Sequence, residues 1–287
     1  GVSGSAPEAG LAGLRVDFVN QTAAAFANAV QYKSSGADTT IKIKNHSYGY
    51  SAPYISDSTT SLEKSAVALS AAAGTIHLYA AGNDRGTTTQ DSNTKVQQSD
   101  PNVIAVAALN ANGVFSSYSN FGANVFVTAP SNGVTGFGIT TTDRVGSPGY
   151  STTTGTTDSD SMPTLDYTSV FGGTSAATPI AAGVTTLVKQ VQPSLNVRFM
   201  KHLLARTSTI VNSTDASATS GGGWRTNAAG YRFNPNYGFG LINADALVTS
   251  APNWRLTPLT IVAGPTRTIA AAIPHNTTAA PTPNQPP

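Results

Sequence analysis

Short apolar runs alternate along the chain with longer stretches in which apolar residues recur every three or four positions. The short runs predict buried strands and the longer stretches predict helices. The predicted strands cover residues 11–17, 40–46, 75–80, 103–108 and 124–129. The predicted helices cover residues 21–32, 61–73, 175–191, 197–207 and 243–250. Their alternation predicts an α/β fold, in which helices cover both faces of a mostly parallel sheet.

Local signals refine two of these elements. Thr60 and Glu63 have the spacing of a capping box, which predicts that the second helix begins near Ser61. Gly74 predicts the end of that helix, because glycine readily adopts the conformation that terminates helices. Residues 131–167 are rich in Gly, Ser, Thr and Asp and contain only short strand-like stretches. Residues 131–167 therefore predict a loop or hairpin outside the main sheet.

Composition narrows the class of protein. The chain has 287 residues, enough for a sizeable core, and its 16 basic and 14 acidic side chains nearly cancel. Charge therefore gives no reason to expect binding to nucleic acid or to a membrane. Only 10% of the residues are charged, as is common in extracellular enzymes, and the lack of cysteine excludes disulfides and thiolate metal sites. No run reaches the roughly 18 to 20 apolar residues that span a bilayer, and no signal peptide is recognised.

The composition changes near the carboxyl end. After Trp254 the chain is dominated by Pro, Thr and Ala. Such a segment builds no core and is expected to be extended or disordered. The sequence therefore predicts one domain over residues 1–254, followed by a tail or domain stub over residues 255–287.

Ser175 is the first candidate catalytic residue. It follows Gly172, Gly173 and Thr174 and begins a predicted helix of small residues. Glycines permit a sharp turn and a close approach by substrate, and a helix N-terminus presents unpaired N–H groups to a developing oxyanion. The same pattern is also typical of a simple Ser or Thr helix cap. On this segment alone, both interpretations stand.

Asn83 is the second candidate. It follows the predicted strand at 75–80 and the residues Ala81 and Gly82, in a turn with a single amide side chain. An amide held still in a water-poor cleft can donate a hydrogen bond to the oxyanion of acyl transfer. Together with Ser175, this favours nucleophilic chemistry.

With the two motifs in this order, the chain resembles the subtilases, the subtilisin-like serine endopeptidases. Residues 45–49, 103–108 and 115–122 resemble later core segments of that family, and residues 198–204 and 237–246 are most similar to the kexin and furin branch and its bacterial relatives. The resemblance implies hydrolysis of polypeptide substrates through an acyl-enzyme on Ser175, with Asn83 in the oxyanion hole. It also implies a secreted, bacterial protein.

The aspartate and histidine motifs that subtilases place before the serine do not occur in this chain. Its first 16 residues resemble the stretch that follows the family's histidine helix, so the resemblance implies a fold without its N-terminal portion. The histidines are His46, His77, His202 and His275. A substitute triad of Asp17 and His46 is an alternative, but His46 matches a position that is not catalytic in the family. The chain alone is therefore expected to be inactive or nearly so.

The resemblance also implies binding residues. Ser47, Tyr48 and Gly49 would pair with an extended peptide, and Ala80, Ala81 and Gly82 would form the opposite wall of the pocket for the side chain before the scissile bond. Residues 50–53 carry no acid, which argues against a dibasic preference. Asp57, Asp84, Asp91 and Asp100 could reach the cleft, but acids in surface loops are more often only solvated.

Subtilases often bind calcium through loop oxygens. Residues 84–100 and 158–166 offer such oxygens, but they show no ordered ligand spacing, so no metal ligand is assigned and no cofactor is required for the chemistry. The resemblance further allows a pro-segment, or the missing N-terminal segment, as a partner.

Two other functions remain open at this stage. A noncatalytic pseudoprotease would bind extended peptides without cutting them. A sedolisin-like acid peptidase also has a serine motif that begins Gly-Thr-Ser, but that family uses an aspartate as its oxyanion residue and a glutamate as its base. Asn83 argues against the second alternative.

Overall fold

A computed structural model describes residues 2–17, 19–20, 22–55, 57–135, 137–152 and 162–255. Its main sheet has four parallel strands, whose order across the sheet is their order along the chain. The strands are β1 (Ile43–His46), β2 (Ile76–Ala80), β3 (Val103–Leu109) and β4 (Val125–Pro130). Register pairs Ile43 with Ile76 and His77 with Val103. The strands at 75–80, 103–108 and 124–129 are confirmed to within about two residues.

Five helices of the described chain accompany this sheet. They are α1 (Ala23–Gln31), α2 (Asp57–Ala72), α3 (Thr174–Val191), α4 (Val197–Thr207) and α5 (Ala244–Ser250). Four begin and end within about two residues of the predicted bounds. Helix α2 begins four residues before the predicted Ser61, since it starts at Asp57.

The alternation of side chains along the strands places helices on both faces of the sheet. Ile76 and Leu78 of β2 belong to the larger core cluster, together with residues of α3, α4 and α5. Tyr79, which follows Leu78 in β2, belongs to a second cluster, together with Phe26 of α1 and Val67 of α2. Successive strand residues point to opposite faces. The predicted α/β fold with a covered parallel sheet is confirmed.

The segment at 131–167 leaves the main sheet as predicted. Strand β5 (Ile139–Thr142) pairs antiparallel with β6 (Tyr167–Phe171), which leads directly into α3. A further short pair joins β7 (Arg225–Thr226) to β8 (Arg232–Phe233).

Two predicted features are wrong. Residues 11–17 form no strand, and Leu11 is 98% exposed, because this segment pairs with no strand in the described part of the chain. Thr60 and Glu63 form no capping box, because α2 has already begun at Asp57. Glu63 instead accepts hydrogen bonds from Tyr50, Tyr79 and Gln97. The first error arises because a strand needs a neighbouring strand, and the second because the start of α2 lies upstream of the local capping pattern.

The chain's first compact unit ends at Trp254. Residues 256–287, and hence nearly all of the predicted tail, lie outside the described residues. Among the helices that the structure describes, none has the length and apolar character needed to cross a membrane.

The end of α2 provides a stability prediction. Gly74 has φ +91°, and a Cβ added there would meet only Lys189 Nζ, at 3.9 Å. Space is therefore available, and Gly74→Ala should cost only the backbone strain, about 1–2 kcal/mol of unfolding free energy in urea denaturation. Gly10→Ala is the control, since its Cβ meets nothing within 4 Å and its φ lies outside the strained range. Equal effects of both changes would contradict this account of the helix end.

Candidate active site

One pocket forms where the chain leaves the carboxyl ends of β1 and β2 and where α3 begins. Its cavity volume is about 280 Å³. It is lined by Ser47, Tyr48, Gly49, Tyr50, Ser51, Ala80, Ala81, Gly82, Asn83, Asp84, Lys95, Gln98, Thr174 and Ser175. All eight residues predicted for the site are among them. Ligand sites of open parallel sheets commonly lie at the carboxyl ends of the strands.

Ser175 is the second residue of α3. Gly173 caps the helix with φ +82° and without a side-chain hydrogen bond, so the chain turns sharply into α3 as the paired glycines predict. The Ser175 hydroxyl donates to the Ser47 carbonyl at 3.3 Å, and the Ser47 hydroxyl donates to the Ser175 carbonyl at 2.9 Å. Ser175 is therefore not a helix cap, because its hydroxyl points to the chain that follows β1.

Asn83 is fixed by its neighbour Thr174. The Asn83 Oδ1 accepts from the Thr174 N–H at 2.8 Å and from the Thr174 hydroxyl at 2.9 Å. The same hydroxyl accepts from the Gly82 N–H at 3.1 Å. Because a backbone N–H can only donate, the amide oxygen must face Thr174, and this sets the direction of the amide nitrogen.

The Asn83 Nδ2 has no hydrogen-bond acceptor in the described part of the chain. It lies beside the turn into α3, since a Cβ placed on Gly173 would be 3.2 Å from it. The pocket therefore presents a fixed N–H donor at the N-terminus of the helix that carries Ser175, and both residues line the same pocket. This arrangement can stabilise negative charge on an oxygen atom.

Lys95, Gln98 and Asp84 also line the pocket, and the first two were not predicted as site residues. Lys95 Nζ donates to the Ser51 carbonyl at 2.8 Å and lies 3.2 Å from Asp84 Oδ2. Gln98 Nε2 donates to the Ala80 carbonyl at 2.8 Å. A single lysine and a glutamine in a polar loop carry no pattern that points to a site, so only the folded chain reveals them. Thr174 was also missed as a positioning residue, although it lies within the serine motif.

His46 and His77 form a buried hydrogen-bonded chain. His46 Nδ1 lies 2.5 Å from the Tyr48 hydroxyl, and His46 Nε2 lies 2.9 Å from His77 Nδ1. His77 Nε2 lies 2.9 Å from the hydroxyl of Ser70. Burial lowers the pKa of His77 to about 3 and the pKa of His46 well below its ordinary value, and the positive charge of Lys44 acts in the same direction.

The substitute triad is contradicted by these contacts. Both ring nitrogens of His46 have partners other than Ser175, and the exposed Asp17 carboxylate accepts from Val19 N and Asn20 N. His202 lies on the exposed side of α4, and His275 lies outside the described residues. His77 is a buried core imidazole with partners, as its strand pattern predicts.

The candidate acids have separate roles. Asp84 lines the pocket, whereas Asp91 caps a short 3₁₀ turn and Asp100 lines a small separate cavity. The Asp57 side chain, like Asp158 and Asp160 of the second acidic segment, lies outside the described residues. Within the described part of the chain, no group of three or more His, Asp or Glu side chains is arranged to hold a metal ion.

Comparison with known proteins identifies the family of the chain. A sequence model of the subtilase family, peptidase S8, matches residues 1–240. The extracellular serine protease of Aeromonas sobria is 35% identical over 210 residues, which are 65% of this chain and 34% of that protein. The calcium-dependent protease of Trichormus variabilis is 37% identical over 174 residues, which are 60% of this chain and 24% of that protein.

A solved structure is similar as well. The Aeromonas sobria serine protease in complex with a chaperone has a TM-score of 0.70 and 29% identity, and the match covers 85% of this chain and 48% of that one. The chain therefore belongs to the subtilase family of subtilisin-like serine proteases. It spans about half of that solved chain and about a third of the Aeromonas sobria sequence relative.

Proposed function

We propose that the chain is the serine-bearing part of a serine endopeptidase that cleaves peptide bonds through an acyl-enzyme on Ser175. The observation that carries the proposal is the fixed amide of Asn83. Thr174 holds its oxygen, and its nitrogen is left as a donor in the same pocket as the Ser175 hydroxyl. A fixed donor of this kind acts on charge that develops in the transition state.

The chemistry follows from these positions. Ser175 Oγ attacks the carbonyl carbon of the scissile bond, its proton passes to a general base, and the carbonyl oxygen becomes an oxyanion that accepts from Asn83 Nδ2. The base then gives the proton to the leaving amine, and water repeats the sequence to release the acyl group. No histidine of the described chain contacts Ser175, so the base and its orienting aspartate would come from elsewhere in the parent protein. The chain alone is expected to have little or no activity.

The walls of the pocket support a peptide substrate. Ser47, Tyr48 and Gly49 follow the end of β1, and Ala80, Ala81 and Gly82 continue from β2 on the other side. A polypeptide can pair with such segments in strand fashion and place one side chain between them. The chaperone complex of the Aeromonas sobria protease favours a pro-segment or chaperone partner here too.

Two further expectations concern the secretion of the parent protein and its binding of calcium. The extracellular name of the Aeromonas sobria relative supports secretion of the parent protein. The calcium-dependent relative suggests a structural calcium ion, but the described residues offer no cluster that fits one, so no calcium ligand is assigned.

A noncatalytic peptide-binding module is the second candidate. It is favoured by one observation, which is that Ser175 donates to a carbonyl and contacts no base among the described residues. A sedolisin-like acid peptidase is less favoured, since the residue held by Thr174 is an asparagine.

A fluorophosphonate probe distinguishes the first two candidates. In the full-length parent protein, labelling is expected at Ser175, because only a serine with a base and an oxyanion hole reacts readily. Ser175→Ala should abolish labelling and peptide cleavage, whereas Ser65→Ala, at an exposed position of α2 outside the pocket, should leave the nucleophile reactive. Absence of labelling in a folded wild-type parent would support the binding module and overturn the enzyme.

A further inference from the structure

An ion pair joins the two walls of the pocket. Lys95 Nζ donates to the carbonyls of Tyr50 at 3.4 Å and Ser51 at 2.8 Å, which belong to the wall that follows β1. The same ammonium group lies 3.2 Å from Asp84 Oδ2, which belongs to the wall that follows β2. Its three N–H groups are therefore all directed at protein oxygens.

The two charges of this pair cancel, so the pair adds no net charge to the pocket lining. The Lys95 side chain is 3% exposed and that of Asp84 is 36% exposed, so the lysine charge is shielded from water and needs the carboxylate. Among the described residues that line the pocket, Asp84 is the only acid. An arginine or lysine side chain entering the pocket would find this carboxylate already paired with a fixed cation.

Gln98 supplies a hydrogen-bond acceptor without a partner. It is 4% exposed, its Nε2 donates to the Ala80 carbonyl, and its Oε1 is buried and makes no hydrogen bond. Buried polar atoms are nearly always paired, and leaving one unpaired is costly. Gln98 lines the pocket, so a bound side chain that shifts the Gln98 amide toward itself can donate to this oxygen.

We infer that the Lys95–Asp84 pair and Gln98 set the side-chain preference of the pocket toward neutral, hydrogen-bond-donating side chains such as glutamine. This rests on the proposed function, in which the pocket receives the side chain before the scissile bond. A basic side chain loses its hydration and gains no free carboxylate, and an acidic one gains no free ammonium group. Glutamine keeps its neutrality and donates its N–H to Gln98 Oε1.

Two variants with opposite effects test the charge assignment. Lys95→Met leaves Asp84 unpaired, so cleavage before arginine should gain at least about 10-fold in kcat/KM relative to glutamine. Asp84→Asn leaves Lys95 unpaired, so glutamate should gain by a similar factor relative to glutamine. The substrates are tetrapeptide p-nitroanilides that differ only in the residue before the scissile bond, assayed with the full-length parent protein. Shifts of opposite sign cannot arise from a simple loss of folding.

A binding measurement separates this inference from the proposed function. Tetrapeptide acids ending in Gln, Arg or Glu are titrated by calorimetry into the Ser175→Ala form of the 287-residue chain and into the same form carrying each pocket variant. Glutamine is expected to bind best in the parent form, with the shifts described above in the variants. If peptides bind with this ranking but the parent protein cleaves nothing, only the enzyme proposal fails.

Lys33→Met is the matched control, because Lys33 also pairs with an aspartate, Asp38 at 3.5 Å, but does not line the pocket. It should leave the ranking unchanged. A wild-type preference for arginine over glutamine, or a shift in the same direction in both pocket variants, would overturn the inference.

Discussion

Replacing Asn83 with alanine is expected to lower kcat of the full-length protein by about 10²- to 10³-fold, with little change in KM. The size of this effect is carried over from the oxyanion donor of a subtilisin, a member of the same family. The physical reason is that the Asn83 Nδ2 acts on charge that exists only in the transition state, so substrate binding does not depend on it. Steady-state kinetics on a p-nitroanilide peptide measure both constants.

Asn83→Asp tests the hydrogen-bond donor of this side chain separately from its shape. It keeps an oxygen that accepts from Thr174 and replaces the amide donor with a second oxygen. The loss of kcat should therefore be at least as large, although the side chain has nearly the same shape. Asn112→Ala, at an exposed position outside the pocket, is the control and should change neither constant. A folded Asn83→Ala protein with wild-type kcat would remove Asn83 from the mechanism.

Acidification is expected to lower the unfolding free energy of the chain by about 2–3 kcal/mol between about pH 7.5 and about pH 5.5. The cause is the buried pair of His46 and His77, whose pKa values are lowered by burial and by the charge of Lys44. In the unfolded chain both histidines bind protons near the ordinary pKa of about 6.5. In the folded chain they stay neutral.

The direction of the change in unfolding free energy with pH follows from this difference in proton binding between the two states. Above about pH 6.5 both states leave the two histidines neutral, so their contribution to stability is fully present. As the pH falls below that value only the unfolded state gains protons, and stability is lost by up to about 1.4 kcal/mol per pH unit for each histidine. For His77 the loss continues toward its folded pKa of about 3. Glu63 acts in the opposite direction, since burial raises its pKa, and reduces the net slope at the acidic end.

Urea denaturation at several pH values measures this slope. His77→Gln keeps a hydrogen-bonding side chain but removes one titrating group, so it should remove about half of the slope. His202→Gln changes a histidine on the exposed side of α4 and should have a much smaller effect. An unfolding free energy that does not fall between neutral pH and about pH 5.5 would show that the two imidazoles are not held neutral by the fold.

The fold was largely predictable because the core strands are buried along their whole length. Every residue of β3 is buried, and such a run of apolar residues is recognisable without a partner. The segment at 11–17 has a similar appearance, but a strand also needs a neighbour for its backbone groups, and that information is not local. The predicted start of α2 is wrong for a related reason. Glu63 lies three residues after Thr60, as in a capping box, but in the folded chain it accepts hydrogen bonds from three side chains that are distant in sequence.

The site was predictable where its chemistry is carried by motifs that are continuous in sequence. The serine, Ser-Tyr-Gly and Ala-Ala-Gly-Asn segments placed eight residues that the structure gathers around one pocket. Lys95 and Gln98 were not predicted, because their importance comes from carbonyls of Ser51 and Ala80, which are 44 and 18 residues away in the chain. The roles assigned to all of these residues stay predictions until the variants are measured.

The hydrogen bond from the Ser175 hydroxyl to the Ser47 carbonyl holds the nucleophile in a resting orientation. At 3.3 Å it is longer than an ordinary hydroxyl hydrogen bond, so turning the oxygen away from it is inexpensive. A base that arrives beside Ser175 would therefore compete with a weak acceptor and not with a strong one. The Ser47 carbonyl belongs to the segment that would pair with a substrate. A peptide that donates a hydrogen bond to this carbonyl would therefore displace the Ser175 hydroxyl from it.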